Sequence, residues 1–267
     1  VIGNVVMTQG DVRITCNRAI QYLSDNEAEL IGDVVATKDT VILKTKRGYY
    51  YGNTKTAYSN SGVKLLDGKM TLTAESGYYY YNEDRAYFYE NVELLDSSRK
   101  LISQRLNYLK KSNKLEAGGN VMITDFESSI YADSLIHFRE SGISHAYGNV
   151  QITDPAENLN IKGNKLDDLP PQKITNIIGN TLLTKIDTSD SGEIDTLLIS
   201  AKRMRSENDS VKKFIAIDSV RIVRDEFASV NDSSVLYRNE DKIVTVKNGD
   251  DEKQPILWFE NSQMTGD

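Results

Sequence analysis

Gly3-Asn4-Val5, Gly32-Asp33-Val34, Ser61-Gly62-Val63, Glu90-Asn91-Val92, Gly119-Asn120-Val121 and Gly148-Asn149-Val150 are six copies of one string. Their valines stand at 5, 34, 63, 92, 121 and 150, so every interval is 29 residues. A fixed period of this length marks a repeat architecture and constrains the fold before any local propensity is weighed. Two places after each valine stands a further apolar residue: Met7, Ala36, Leu65, Leu94, Ile123 and Ile152. The residues between, Val6, Val35, Lys64, Glu93, Met122 and Gln151, follow no rule. Alternation with period two predicts a strand with one dry face.

The register extends outward from the valine in both directions. Nine places later come Ile14, Leu43, Leu72, Leu101, Ile130 and Leu159, then the mostly small Cys16, Thr45, Ala74, Ser103, Ala132 and Ile161. A polar position follows (Asn17, Lys46, Glu75, Gln104, Asp133), and the segment runs on into aromatic stretches such as 49–51 and 78–81. This is a second strand, of high β-propensity. Ala28, Ala57, Ala86, Leu115 and Ser144, then Leu30, Ser59, Phe88, Ala117 and Ala146, lead straight into the next Gly-Asn-Val string. A strand over 28–37 therefore crosses the glycine, and a bulge or close backbone approach is expected to bend the sheet there. Polar clusters at 24–26, 52–54, 82–84 and 111–113 fall at one point of the repeat and read as turns.

No segment of comparable length has helical spacing, and the first 154 residues contain no proline. After residue 150 the rule loosens: Pro155, the run 167–171 and the polar stretch 187–193 read as insertions in loops. The pattern returns at 199–204 and at Asp218-Ser219-Val220, and Ile256-Leu257-Trp258-Phe259 begins another strand, so the chain is expected to stop in mid-pattern. Two regions result, 3–165 in strict repeat and 175–267 looser, the second continuing the sheet of the first.

Composition removes several classes of function. Of 267 residues 39% are apolar and 27% charged, which argues against a membrane-embedded protein. Lys and Arg number 32 against 39 Asp and Glu, and the net charge of −7 has the wrong sign for tracking a phosphate backbone, so no nucleic acid is expected. The single cysteine, Cys16, has apolar neighbours and reads as a buried thiol. His137 and His145 do not follow the repeat and make no metal site, the carboxylates are scattered, and no phosphate loop or Ser-His-Asp set is present. No enzyme, cofactor or metal is expected. The tyrosine runs occupy equivalent places in successive repeats, so cross-strand packing near a sheet margin is favoured over a platform for sugars or bases.

Some sixteen to eighteen strands exceed what an open twisted sheet holds without folding over. A V-shaped trough or flattened jelly roll, a closed barrel and a parallel solenoid all fit the alternation, and two strands per unit favour antiparallel hairpins. The inward columns mix aliphatic with small residues. The expected groove lining is Val5, Met7, Ile14, Leu30, Val34, Leu43, Val63, Leu65, Leu72, Phe88, Val92, Leu94, Leu101, Val121, Ile123 and Ile130. The alternative is a structural or adhesive β-scaffold with a closed dry core and no cargo.

The recurring Gly-Asn-Val with its apolar-x-apolar sequel, Ala132-Asp133-Ser134-Leu135 with Ala74-Glu75-Ser76-Gly77 as its earlier equivalent, and the return Ala146 to Val150 resemble the OstA-like, or LptA-like, lipopolysaccharide-transport (organic solvent tolerance) family. The resemblance covers 3–165 well and 175–267 loosely. It implies a periplasmic antiparallel β-jellyroll, open along one side, whose apolar interior carries the acyl chains of lipopolysaccharide or a similar amphiphile in a Gram-negative cell. It further implies homologous domains joined end to end, transport partners in both membranes, an outer-membrane association, and no catalytic residue. The first strand, near Val5 to Thr8, is the expected exposed edge.

Overall fold

The computed structural model describes residues 1–188, 192–208, 212–237, 242–246 and 254–266. Among these, every strand pairing is antiparallel, so no parallel solenoid forms. No helix of the described residues is long and apolar enough to cross a membrane. The chain divides into two compact units, Val1–Phe126 and Glu127–Asp267. That division precedes the point, between 165 and 175, where the repeat loses its strict period.

The first unit contains β1 (Ile2–Gln9), β2 (Val12–Tyr22), β3 (Glu27–Lys38), β4 (Val41–Tyr51), β5 (Thr56–Ser59), β6 (Val63–Asp67), β7 (Met70–Ala74), β8 (Ser76–Tyr80), β9 (Arg85–Leu95), β10 (Lys100–Leu109) and β11 (Lys114–Thr124). Each pairs with the next along the chain, except that β5 with β6, and β7 with β8, are halves of broken strands. Thus β4 holds both β5 and β6, and β9 holds both β7 and β8. Among the described residues β1 pairs with β2 alone and leaves one edge open. The turns expected at 24–26, 52–54, 82–84 and 111–113 are present, and Asn26, Asp84 and Asn113, which end three of them, and Lys55, which follows the other, take left-handed backbone at φ 55°, 50°, 49° and 51°.

The Gly-Asn-Val strings are corners. The pairing register slips between Ile2 and Val5 in β1, between Ile31 and Val34 in β3, and between Ile102 and Arg105 in β10. Two successive left-handed residues cause the slip: Gly3 and Asn4 at φ 86° and 46°, Gly32 and Asp33 at 76° and 46°, Gly119 and Asn120 at 79° and 49°. Glycine takes this conformation freely, and Asn and Asp tolerate it best among residues with a side chain. Glycine also leaves space, since a Cβ on Gly32 would stand 2.7 Å from Asn17 Nδ2, the polar residue of the facing strand. Asn17 in turn donates to Asp33 Oδ2 at 3.1 Å, so the bulge and its facing strand are tied by side chains. The small column beside the corner has its own task. Cys16 Sγ, Thr45 Oγ1 and Ser103 Oγ donate to the carbonyls of Arg18, Arg47 and Arg105 at 3.3, 3.2 and 3.1 Å, satisfying acceptors that lie within the slip. Cys16 is buried, as expected.

The second unit repeats the scheme with β12 (Ser129–Phe138), β13 (Ser144–Asp154), β14 (Leu159–Leu169), β15 (Ile174–Thr188), β16 (Ile194–Asn208), β17 (Lys212–Arg224), β18 (Phe227–Tyr237), β19 (Lys242–Val246), β20 (Ile256–Phe259) and β21 (Ser262–Thr265). Its corners are Gly148-Asn149, Gly179-Asn180 and Asp218-Ser219, all at positive φ. The insertions expected here are in part strand. Residues 167–169 complete β14 and only Pro170–Gln172 forms a 3-10 turn. Asp187, Thr188 and Ile194 extend β15 and β16 to 15 residues each, with Asp187 paired to Asp195 and the charges met by Lys185 and Arg224; residues 189–191 lie outside the described set. Asp187, read as loop in sequence, here continues the row parity of Leu183 and Lys185 in a long hairpin.

Gly32→Ala is expected to lower the unfolding free energy by about 1–3 kcal/mol from backbone strain, with the Asn17 clash added. Gly62→Ala shares the strain at φ 78° but meets nothing within 4 Å, so it is expected to cost less. Urea unfolding of the two variants decides; equal losses would remove the packing role of the corner glycine.

Candidate functional site

The corners fold the ladder of the first unit into two legs whose inner faces meet. On the first leg one cross-strand row runs unbroken through Met7, Ile14, Ala36, Leu43, Leu65, Leu72, Leu94, Leu101 and Ile123. Nearer the corner lie Val5, Val34, Val63, Val92 and Val121, each under 7% exposed. On the second leg the rows are different in kind. One runs Ala19, Leu30, Gly48 and, across the adjoining strands, Gly77, Phe88, Leu106 and Ala117; the next runs Ala28, Tyr50, Ala57, Tyr79, Ala86, Tyr108 and Leu115. Small residues alternate with aromatic ones across the strands, and the rings fill over their small neighbours.

Fifteen of the sixteen residues singled out in sequence are thus inner-face residues of this unit, and Ile130 belongs to β12 of the second. They do not share one space. Leu65, Leu72 and Val92 are at most 1% exposed, interlocked in the core. Val5, Met7, Ile14 and Leu30 border a concavity of about 660 Å³ at the β1 end, shared with Val1, Val12, Ala28, Tyr50 and Tyr81. Two smaller spaces lie between the legs. One of about 50 Å³ sits over Gly48 and Gly77, bounded by Val34, Leu43, Val63 and Phe88. The other, about 70 Å³, is lined by Ala36, Val41, Leu43, Leu65, Tyr79, Tyr81 and Tyr108. Leu72, Val92, Leu94, Leu101, Val121 and Ile123 line none of the three.

The tyrosine runs serve both faces of the sheet. Outward, Tyr49 stacks on Tyr58 at 6.2 Å, Tyr58 on Tyr78 at 4.6 Å, and Tyr78 on Tyr89 at 6.1 Å, the cross-strand packing expected from their spacing. The hydrogen bond of the Tyr58 hydroxyl with Tyr89, with burial second, pushes its pKa up to about 12. Inward, Tyr79 meets Tyr81 edge-on at 4.7 Å, and Tyr81 meets Tyr50 edge-on at 5.9 Å. Sequence reasoning missed these inward rings because a run of identical residues conceals its own alternation.

Opposite the corner the legs are closed by side chains. Lys38 Nζ lies 3.5 Å from Asp84 Oδ1, Lys110 Nζ lies 3.0 Å from Asp39 Oδ2, and Tyr108 donates to Asp67 Oδ2 at 2.7 Å. Tyr79 donates to Asp84 at 2.5 Å. Burial pushes the Asp84 carboxyl up, but the Tyr79 hydrogen bond and the charges of Lys38 and Lys110 outweigh it, and its pKa stands below the ordinary carboxylate value. Burial, then the bond to Asp84, raises the Tyr79 hydroxyl. These pairs are partly exposed, so each ion pair contributes only about 0–1 kcal/mol.

In the second unit one inner row runs Leu135, Ala146, Leu166, Ile177, Met204 and Ala216, each under 5% exposed, and the next is largely polar, through Ser144, Asp168, Thr175 and Ser206. Its concavity, about 410 Å³ beside Leu159, Phe214 and Tyr237, is rimmed by Glu157, Lys185 and Asp187. His137 Nδ1 lies 3.0 Å from Ser144 Oγ and His145 Nδ1 lies 2.6 Å from Asp167 Oδ1, on opposite faces of their hairpin. Among the described residues no group of three His, Cys, Asp or Glu converges.

Residues 1–117 match the model of a family described as OstA-like protein. Among solved structures the chain is similar to LptH, the LptA-homologous periplasmic component of the conserved lipopolysaccharide transport device from Pseudomonas aeruginosa. The identity is 14%, over 51% of this chain and 81% of that one, with a TM-score of 0.25. No curated protein sequence matches.

Asp84→Asn is expected to lower the thermal midpoint at pH 7 by the equivalent of about 1 kcal/mol. A carboxyl whose folded pKa is depressed stabilises the fold above its unfolded pKa, about 3.9, and loses that contribution as pH falls through the lower folded value. The gap between wild type and variant therefore closes below about pH 4. A gap of the same size at pH 7 and pH 3 would show that the Asp84 charge does not hold the seam.

Proposed function

We propose, from the premise that residues 1–117 are OstA-like, that this chain is a periplasmic lipid-handling module of a lipopolysaccharide transport bridge. Acyl chains enter the first unit between its legs at the β1 end, against Val5, Met7, Ile14 and Leu30. The observation that carries this reading is the 660 Å³ concavity at that end, where a large volume meets Val5, Met7, Ile14 and Leu30. Each buried CH₂ is worth about 0.8 kcal/mol, so a few methylenes at the mouth give useful affinity without a strong polar contact. Length of contact, and not a recognition pocket, sets the strength.

The open edge of β1 supports the second part of the proposal. An unpaired strand invites another strand to complete the ladder, and here it borders the mouth, so a homologous β-jellyroll domain docked end to end continues the apolar surface from one domain to the next. Partners in both membranes, an outer-membrane association and the looser region 175–267 as a continuation of the same path belong to this proposal. It assigns no residue to chemistry on a substrate. The competing reading, a cargo-free scaffold, is favoured by the interlocked Leu65, Leu72 and Val92, and the mouth is what distinguishes the two.

Extraction of purified protein into organic solvent followed by mass spectrometry is expected to yield an acylated amphiphile. Met7→Arg is expected to fold and to lose at least tenfold in affinity for a fluorescent fatty acid, whereas Leu72→Arg, with a fully buried side chain, is expected not to fold. An empty extract, together with no fatty-acid uptake by the wild-type chain, would leave the scaffold reading in place.

A further inference from the structure

One ring borders all three spaces of the first unit. Tyr81 lines the 660 Å³ concavity and both the 70 and 50 Å³ voids. Its neighbours touch fewer: Tyr50 lines the concavity and the 50 Å³ void, and Tyr79 lines the two voids only. The Tyr81 ring therefore stands where the three spaces meet, while Val12, Ile14, Leu30 and Tyr50 are each shared by the concavity and one of the other two.

The three inward tyrosines are held differently. Tyr79 is anchored, since its hydroxyl donates to Asp84 at 2.5 Å and Asp84 is itself fixed by Lys38. Tyr81 has no such anchor. It begins the turn from β8 to β9, where its backbone N–H donates to the Lys55 carbonyl at 3.1 Å, and its hydroxyl has no hydrogen-bond partner among the described residues. Only two edge-on ring contacts hold it, with Tyr79 at 4.7 Å and Tyr50 at 5.9 Å. Among the described residues only Asp195 Oδ1 is a buried side-chain polar atom without a partner, so the Tyr81 hydroxyl reaches solvent and no directional bond fixes the ring. Burial of the ring and then Tyr50 push its pKa up to about 12. The space beyond the ring is apolar, lined by Ala36, Val41, Leu43, Ala57 and Leu65.

We infer that Tyr81 is the gate of this groove: its ring limits how far an acyl chain penetrates from the mouth, and its rotation about the side-chain bonds joins the mouth to the inner voids. Tyr79, pinned by Asp84, is the fixed jamb against which it closes. This inference rests on the acyl-groove reading above and adds the residue that sets the depth of insertion. The guest it discriminates is the long unbranched chain against the short one, because only a chain that passes Tyr81 gains contact with Leu43 and Leu65. The ring, and not the hydroxyl, does the work.

The test loads the full chain with a fatty acid carrying a terminal photoreactive diazirine and maps the adducts by peptide mass spectrometry. In the wild type the adducts are expected mostly on residues of the mouth, such as Val5, Met7 and Leu30. In Tyr81→Ala the fraction on Val41, Leu43 and Leu65 is expected to rise at least threefold, and Tyr81→Phe is expected to match the wild type. Should Tyr81→Ala not fold, Tyr81→Leu, which keeps apolar contact but is narrower, is expected to show the same shift in smaller measure. Labelling of the wild type with an unchanged adduct distribution in the folded variant overturns the gate while leaving the groove reading intact. Absence of specific labelling in all the proteins overturns the groove reading, and the gate with it.

Discussion

Two adjacent left-handed residues, recurring at the same level of alternate strands, are the constraint on which each unit depends. A sheet of this many strands would twist and stay open if its ladders ran straight. A slip at one level in each strand gives the whole ladder a crease. Because the crease falls at matching positions, the dry faces on its two sides are brought toward each other and the hydrophobic columns acquire partners. The choice of residues follows from the backbone: glycine first, where a facing polar side chain lies over the missing Cβ, and Asn or Asp second, where a short side chain tolerates the conformation and bonds to that same facing residue. Glu90-Asn91 and Asp218-Ser219 dispense with the glycine and accept a strained residue at φ 65° and 67°. At Ser61-Gly62 only the second residue is left-handed, and there the strand separates into β5 and β6.

Given the crease, the contents of the two legs decide what the interior can do. In the first unit one leg is paved with branched aliphatics and the other alternates alanine or glycine with tyrosine. The glycines at 48 and 77 remove the side chains that would have met the facing leg, and the 50 Å³ void lies over them. In the second unit Leu135, Leu166, Ile177 and Met204 put larger side chains in the equivalent row, beside Ala146 and Ala216. The same backbone plan therefore supports interiors that are filled to different degrees. This is why fold and cargo are separate questions for a repeat of this kind.

The fold was legible because its signal is periodic. Val5 to Val150 at a constant interval, with alternation on either side, leaves little freedom in strand placement, and the corner announced itself as a glycine inside a strand pattern. Four things were not legible. The corner at Gly179-Asn180 escaped because its valine is replaced by Thr181 and its spacing from Val150 is two residues longer than the repeat, so a search at constant period passes over it. Asp187 and Thr188 read as loop because they open a polar run, whereas a two-residue alternation accommodates them in β15. The inward tyrosines were hidden inside 49–51 and 78–81, where every position is aromatic and the sequence holds no mark of which rings turn in. The closing pairs, Lys38 with Asp84 and Lys110 with Asp39, join residues far apart in the chain, and no spacing rule links them.

Those pairs also determine how the first unit can deform. Along the crease, each strand is held to its neighbours by backbone hydrogen bonds that break only together, so the legs cannot separate there without loss of the sheet. Along the opposite side they are held by side chains from separate turns, partly exposed, each ion pair worth about 0–1 kcal/mol and screened by salt. The stiffness is concentrated on one side and the weakness on the other. Opening about the crease is consequently the softest collective motion available to the unit. It parts the Lys38–Asp84 contact and thereby loosens the anchor of Tyr79, which stands beside the inner voids. Polar closure keeps the seam wetted and reversible, where an apolar closure of equal length would have sealed the legs into a common core. A permanent hinge and a weak polar clasp together let the legs part without unfolding any strand.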